Sequence, residues 1–454
     1  MRMMDLKNKR VLVVGLGKSG ISAAMFLRAQ GARVTVSDTR SAVALAKEIP
    51  ALLEAGIMVE SGGHGLLTFR RQDLIVVSPG VPMDTPEVKQ VVGFGLPVIG
   101  ELELASRHLQ GRVVAITGSN GKTTTTSLLG KIFADAGGPT LVGGNIGLPV
   151  IDLVEKSTPE TTNVLEVSSF QLETIEEFHP WIAVVLNITP DHLDRHGSFE
   201  AYAAAKTRIT ERQGADDFLV LNAEDKATQM VALKTKAQIF WFSGRRPIKQ
   251  GAFVHGESIL FVPREGAKAE PVMPVADIHL KGSHNVENVL AAVCAARLAA
   301  VPAESIRASV AAFKAVEHRL ELVAKVKGVE FYNDSKATNV DATMKAVASF
   351  PSGIHLILGG KDKNSDYTLM TELLKERVKV VYTIGSAAEK IERQLHGVVK
   401  MVSAETMQVA VAKAAGAAVS GDVVLLAPAC SSFDQFENYE HRGQVFRQLV
   451  HELS

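Results

Sequence analysis

Only two cysteines, Cys294 and Cys430, occur in the 454 residues. A pair so far apart supports neither a disulfide framework nor a CxxC metal site, and it points to a reducing compartment, the cytoplasm. Net charge is missing too. The 49 lysines and arginines are balanced by 49 aspartates and glutamates, so the basic surface of a nucleic-acid binder is not expected. No apolar run approaches the roughly 20 residues of a membrane span, and no membrane partner is expected. The opening MRMMDLKNKRVLVVGLGKSG places basic residues before an apolar run, as a signal peptide does, but the run is short and broken by Gly15, Gly17 and Lys18. With 46% hydrophobic residues the chain reads as a globular enzyme whose partners are small molecules. Its length exceeds what one core supports, so two or three domains are expected.

The most informative stretch is RVVAITGSNGKTTTT, Arg112 to Thr126. Val113 to Ile116 read as a buried parallel strand, and Gly118, Ser119, Asn120 and Gly121 as a small-residue turn into a helix that runs to about Ala136. Such a turn aims backbone amides and a helix N-terminus at an anion. Lys122, expected as a solvent-facing lysine, adds a full charge, and Thr123, followed by Thr124, is placed to ligate Mg²⁺. Ile116 stands where the usual loop has its first glycine, so this loop is tighter than GxxxxGK[ST]. The plain alternative is an ordinary strand-to-helix turn with a chance Gly-Lys-Thr.

Upstream, a strand from Arg10 to Val14 leads into Gly15, Gly17 and Gly20, a helix ending near Gly31, and a strand from Arg33 to Ser37 that ends at Asp38. This is a dinucleotide-type βαβ pattern in which Asp38 can accept from a sugar hydroxyl, unless the glycines serve packing alone. The turn-rich GGHG at Gly62 to Gly65, a strand Leu74 to Val77 and the rigid SPGVP loop, Ser78 to Pro82, continue this unit to a boundary near Gly100. Beyond the phosphate loop come GGNIG at Gly143 to Gly147, a strand ending at Glu166 in LEVSSFQLE, and a strand followed by a loop carrying Asp191, His192 and Asp194. Ligands of a parallel sheet sit beyond the carboxyl ends of its strands, so the phosphate loop, Glu166 and His192 are expected to converge. The bland readings are that Glu166 caps a helix and His192 is a solvated loop residue. A helix from Phe199 to Glu211 contains Lys206, by spacing an ordinary surface charge. Alternating apolar residues run from Ile259 to Val262. A small-residue helix then begins at KGSHNVEN, where Asn285 and Asn288 face a cleft or one of them serves as N-cap. His318 and Arg319 mark the passage to a third unit with strands Val329 to Tyr332, Ile354 to Leu358, Val378 to Ile384 and Val423 to Ala427, each followed by a polar or glycine-rich loop.

TGSNGKTTT, GGNIG, LEVSSFQLE, TPDHLDRHGSFEAYAAAK, GSHNVEN, EHRLE, YNDSKATN, LGGKDKNSD and PACSSFDQFENYEHRG, in this order over essentially the whole chain, closely resemble the Mur ligases. The resemblance implies three α/β domains: a Rossmann-like N-terminal domain over 1–100 for a UDP-linked substrate, a central P-loop ATP-binding parallel sheet over 101–315, and a Rossmann-like C-terminal domain over 316–454 for the amino acid. It implies an ATP- and Mg²⁺-dependent, acyl-phosphate-forming ligase with UDP-N-acetylmuramoyl-L-alanine and D-glutamate as substrates, acting as a monomer. Position by position, Glu166 would serve one Mg²⁺ with Thr123, and His192 would help hold a second. Asn285, Asn288, Arg319 and Asp334 would surround the nucleotide. Lys18, Ser19, Asp38, Thr39, Arg40, Gly80 and Asn145 would line the UDP-sugar site, and Lys336, Thr338, Lys363, Ser432 and Tyr439 the amino-acid site. Lys206 falls where these ligases carry a CO₂-modified lysine. A DNP-type motif of the diamino-acid-adding relatives is absent, and Tyr439 stands where relatives commonly carry phenylalanine. The competing readings are a nicotinamide oxidoreductase, which leaves the phosphate loop unused, a folylpolyglutamate-type ligase, which does not need the N-terminal glycine turn, and a non-catalytic nucleotide-binding module, against which Lys122 and Glu166 argue.

Overall fold

The computed structural model describes residues 4–314 and 316–453. Residues 1–3 and 454, and Ala315 at the expected second junction, lie outside the described residues. Three α/β units follow one another, each built on its own sheet. In the first, β1 (Arg10–Val14), β2 (Arg33–Asp38), β3 (Met58–Ser61), β4 (Leu74–Val77) and β5 (Val98–Gly100) pair in parallel in the order β3-β2-β1-β4-β5. The order reverses between β1 and β4, which is where a parallel sheet opens a ligand crevice. VLVV and LIVV are buried throughout, as strands covered on both faces must be.

The central sheet contains β6 (Arg112–Thr117), β7 (Thr140–Gly144), β8 (Thr162–Glu166), β9 (Ile182–Val185), β10 (Phe218–Asn222), β11 (Gln238–Ser243), β12 (Gly251–His255), β13 (Ser258–Val262) and β14 (Glu270–Pro274). β6 lies between β8 and β9 and runs parallel to both, so the loops that leave these three strands meet at one edge of the sheet. Val114 and Ile116 of β6 pack in one core with Leu128, Ile132 and Val289, while Val113 and Ala115 enter the core on the opposite face. The helix expected to reach Glu211 stops at Thr207 and tightens into a 3₁₀ turn, Arg208–Thr210. There the Arg208 guanidinium donates to the carbonyls of Leu172, Glu173 and Ile175. The alternation near β13 belongs to an antiparallel extension, β12-β13-β14, on an otherwise parallel sheet.

The junction at Gly100 is not an exposed linker. Every residue of the helix Glu101–Ser106 is buried, and one core runs from Val11 and Leu27 through Leu102 and Ala105 to Val150 and Ala183. Its two acidic side chains tolerate burial because backbone amides meet them: Ile151 donates to Glu101 at 2.7 Å, and Glu176, Glu177 and Phe178 donate to Glu103 at 2.8 to 3.1 Å.

The third sheet orders β15 (Glu321–Val326), β16 (Val329–Asn333), β17 (Ile354–Gly359), β18 (Val378–Ile384), β19 (Lys400–Glu405) and β20 (Val423–Leu426) as β15-β16-β20-β17-β18-β19, with only β15 antiparallel. Strands β15 and β19, not foreseen from sequence, are half-exposed edges with mixed patterns rather than apolar runs. Among the described residues no helix is long and apolar enough to cross a membrane.

Candidate active site between three domains

The phosphate loop is held from one side by the segment after β9. The Ser119 amide donates to the Asn187 carbonyl at 2.9 Å and the Asn120 amide to Asn187 Oδ1 at 2.8 Å. Ser119 Oγ donates to the Thr189 carbonyl and sits 2.9 Å from the Tyr202 hydroxyl, so this side chain shapes the loop. Gly121 turns into the helix Lys122–Asp135 at φ 88, with Asn288 so close that an added Cβ would lie 2.1 Å from its Oδ1. Thr125 is the first residue whose amide returns to the Gly121 carbonyl, at 3.0 Å, and the amides of the turn before it have no intrahelical partner.

Lys122 differs from the expected solvent-facing lysine. As the first residue of the helix it folds back, donating to the Gly118 and Ser119 carbonyls at 2.8 and 2.9 Å, and burial lowers its pKa against the pull of Glu166. Lys206 departs further from a surface charge: it is 1% exposed and donates to the same Gly118 carbonyl at 2.9 Å, with its Nζ 4.7 Å from the Tyr202 ring centre. Burial, and the Lys122 charge after it, push its pKa well below the ordinary lysine value.

Glu166 neither caps a helix nor faces solvent. It is fully buried at the end of β8 and accepts from Thr123 Oγ1 at 2.8 Å and from Asn145 Nδ2 at 2.7 Å. His192 caps the short helix Leu193–His196 in the left-handed region. Burial holds its pKa at about 4 despite Asp191, so at neutral pH the ring keeps a lone pair. Asp191 accepts from Lys363 at 3.1 Å and from Asn339 at 2.9 Å, which joins this loop to the third domain. Among the described residues no three His, Cys, Asp or Glu side chains form a ready cation cage. One carboxylate beside one hydroxyl suits Mg²⁺, which keeps waters and shares substrate phosphates instead of requiring an all-protein cage.

A narrow cleft of about 50 Å³ between the central and third domains collects Asn120, Gly121, Thr124, Asn285, Asn288, Arg319 and Asp334. It also takes in Lys281, His284 and Lys345, which sequence reasoning missed. The N-cap alternative for the asparagines does not hold: Gly282 is the N-cap, Asn285 bonds the Lys281 carbonyl, and Asn288 bonds Asn285. Asp334 is pushed up to about 6 by burial, partly offset by Arg319.

A larger cavity of about 540 Å³ opens at the β1/β4 switch point and takes in Lys18, Ser19, Asp38, Thr39, Arg40, Gly80 and Asn145. Asp38 departs from its expected role as a sugar-hydroxyl acceptor. It accepts from the Leu16 and Arg40 amides at 2.7 and 2.8 Å and from Arg40 Nε and Nη2 at 3.1 and 2.9 Å, which fills its acceptor positions. Against the upward push of burial, Arg40 and these amides hold its carboxyl at about 2. The cavity also includes His64, Ser78 and Gln171, whose only sequence signals were the GGHG, SPGVP and SSFQ strings.

On the third domain, Lys336 Nζ lies 3.6 Å from the Tyr439 ring centre, and burial lowers its pKa to about 8. Thr338 follows on the same loop, and Ser432 is buried after β20. The two lysines have different partners: Lys336 rests on an aromatic ring and Lys363 pairs with Asp191.

Family models match three consecutive segments: the N-terminal domain of the MurD-like Mur ligases over residues 9–100, the Mur ligase middle domain over 116–296, and the Mur ligase glutamate ligase domain over 318–430. The UDP-N-acetylmuramoylalanine--D-glutamate ligase of Acidobacterium capsulatum is 67% identical over 98% of this chain and 97% of its own. The protein of the same name from Koribacter versatilis is 60% identical over 99% of both chains. Among solved structures, UDP-N-acetylmuramate-alanine ligase from Thermotoga maritima superposes with a TM-score of 0.61 at 17% identity, covering 98% of this chain and 100% of that one, a likeness of fold.

Proposed function

We propose that this chain, being a member of the Mur ligase family, uses ATP to join D-glutamate to UDP-N-acetylmuramoyl-L-alanine in peptidoglycan synthesis, and so serves cell-wall assembly, cell shape and division. The observation that carries this reading is Glu166, which is hydrogen-bonded at once to Thr123 of the phosphate loop and Asn145 of the substrate cavity. One carboxylate thus joins the nucleotide site to the site of the acid to be activated. An oxidoreductase leaves this link without use, and a folylpolyglutamate-type ligase leaves the switch-point cavity without a ligand.

The substrate carboxylate attacks the γ-phosphorus of ATP and ADP leaves. The amine of D-glutamate then attacks the acyl phosphate, losing a proton as inorganic phosphate departs. Both steps concentrate negative charge, and the chain answers with Lys122 and the amides at the start of the helix Lys122–Asp135. Thr123 and Glu166 would hold Mg²⁺, with His192, neutral above about pH 4, serving a second ion. When bound, Mg²⁺ supplies neutralisation of phosphate charge. The nucleotide cleft, at about 50 Å³, is smaller than ligand pockets of roughly 300 Å³ and more, so the third domain or the side chains of Lys281, His284 and Lys345 move to admit ATP. Lys336, Thr338, Lys363, Ser432 and Tyr439 receive the dicarboxylate, with Asp191 giving up Lys363 to the incoming carboxylate.

Lys206 is the carbamate-bearing lysine in this reading. The modification joins the amine nitrogen to the carbon of CO₂ with loss of a proton, and it needs the neutral amine that burial favours here. The product brings oxygen ligands and negative charge to a site where an ammonium would repel Mg²⁺. The cytoplasm is the compartment this chemistry needs, and the two buried, unpaired cysteines suit it. The test is ADP release with UDP-N-acetylmuramoyl-L-alanine and a panel of amino acids. D-glutamate is the expected acceptor, and preference for a diamino acid overturns the assignment.

A further inference from the structure

Arg195 has no role in the reaction as described so far. It lies in the short helix that follows His192, and its side chain is 17% exposed. Its guanidinium leaves the central domain: Nη2 donates to the Val81 carbonyl at 3.0 Å and to Glu173 Oε2 at 3.3 Å, and Nη1 lies 3.4 Å from the Gly80 carbonyl. Gly80 and Val81 line the switch-point cavity of the first domain. The guanidinium also rests on the Phe170 ring, 4.8 Å from its centre. The same ring meets the His192 imidazole edge to face, with centroids 4.9 Å apart and planes at 72°. Glu173 is shared with His196, whose Nδ1 lies 3.2 Å away.

These contacts form a continuous chain from the substrate loop through Arg195 and Phe170 to His192. We infer that Arg195 is a positioning residue that fixes the substrate loop of the first domain against the loop carrying His192, and so sets the distance between the substrate carboxylate and the nucleotide phosphate. The geometry asks for arginine. Two carbonyls and a carboxylate approach a planar fork whose face lies on an aromatic ring, and an ammonium cannot meet all of them at once. Misplacement by roughly 1 Å costs about a hundredfold in rate, so a clamp remote from the reacting atoms has leverage over turnover. The inference rests on the ligase reading given above.

The test compares kcat, the KM for UDP-N-acetylmuramoyl-L-alanine, the KM for ATP and the melting temperature in wild type, Arg195→Lys, Arg195→Ala and Phe170→Leu. The expected result is a fall in kcat of at least about tenfold and a rise of several-fold in the KM for the UDP-substrate in both Arg195 variants, with the KM for ATP within about twofold of wild type. Phe170→Leu is expected to show a smaller loss of the same kind. Should Arg195→Ala not fold, Arg195→Lys decides, since it keeps the charge and the stem. Wild-type kcat and substrate KM in Arg195→Lys overturn the inference, as does a loss of activity that only follows a fall in the folded fraction. Failure of the wild type to release ADP refutes the ligase reading itself, whereas normal wild-type turnover with unaffected variants refutes only the clamp.

Discussion

Replacing Glu101 with glutamine probes how the connection between the first two domains is held. Glu101 is 1% exposed; its Oε1 accepts the Ile151 amide at 2.7 Å, and among the described residues its Oε2 has no hydrogen-bond partner. Burial, helped by the nearby Asp152 charge, pushes the carboxyl up to about 7 against the pull of the Ile151 and Val150 amides. An acid whose pKa is raised by folding stabilises the fold fully below its unfolded value, 4.5 here, and that contribution is lost as pH rises through about 7. At about 1.4 kcal/mol per pH unit of separation, the gap between 4.5 and about 7 amounts to roughly 3 kcal/mol. Glutamine keeps an oxygen for Ile151 and has no proton to lose, so Glu101→Gln removes this pH dependence. Urea unfolding followed by circular dichroism between about pH 5 and about pH 8 should show the variant gaining on wild type by roughly 3 kcal/mol as pH rises. Parallel profiles for the two proteins refute the reasoning.

Lys122→Ala is expected to lower kcat by on the order of 10²- to 10³-fold, beyond any loss of folded protein caused by freeing the Gly118 and Ser119 carbonyls, and turnover close to wild type contradicts its role at the phosphates. Lys206→Ala should be nearly inactive and partly restored by short carboxylic acids in the buffer; full activity without them returns Lys206 to a packing role. Gly121→Ala forces a Cβ to within 2.1 Å of Asn288 Oδ1 at φ 88, so it should cost more than about 1 kcal/mol and weaken ATP binding measured by calorimetry. Unchanged affinity and melting temperature would show that the loop accommodates the methyl group.

The strands and turns that a few neighbouring residues dictate were legible in the chain itself. VVAI followed by GSNGKT encodes a buried strand, a tight turn and a helix start through side-chain volume, glycine freedom and amide geometry, all within about a dozen residues. The βαβ opening was legible for the same reason, and the ordered motifs over the whole chain carried the family. Edge strands β15 and β19 were not, because a half-exposed edge needs no apolar run.

Partnership was decided only by the tertiary structure. Lys206 sits in an alanine-rich helix, and nothing within a few residues says that this helix packs under the Gly118 carbonyl. Asp38 at the end of β2 has the position of a ligand acceptor, yet Arg40 and the Leu16 amide fill its lone pairs. Glu101 and Glu103 follow the boundary expected near Gly100, yet in space they sit in a buried joint, and Arg195 reaches a loop more than a hundred residues away. The common reason is sheet order. Placing β6 between β8 and β9 brings together Thr123, Glu166 and the His192 loop across long sequence separations, and strand adjacency arises from the packing of the whole sheet, which no short segment of the chain encodes.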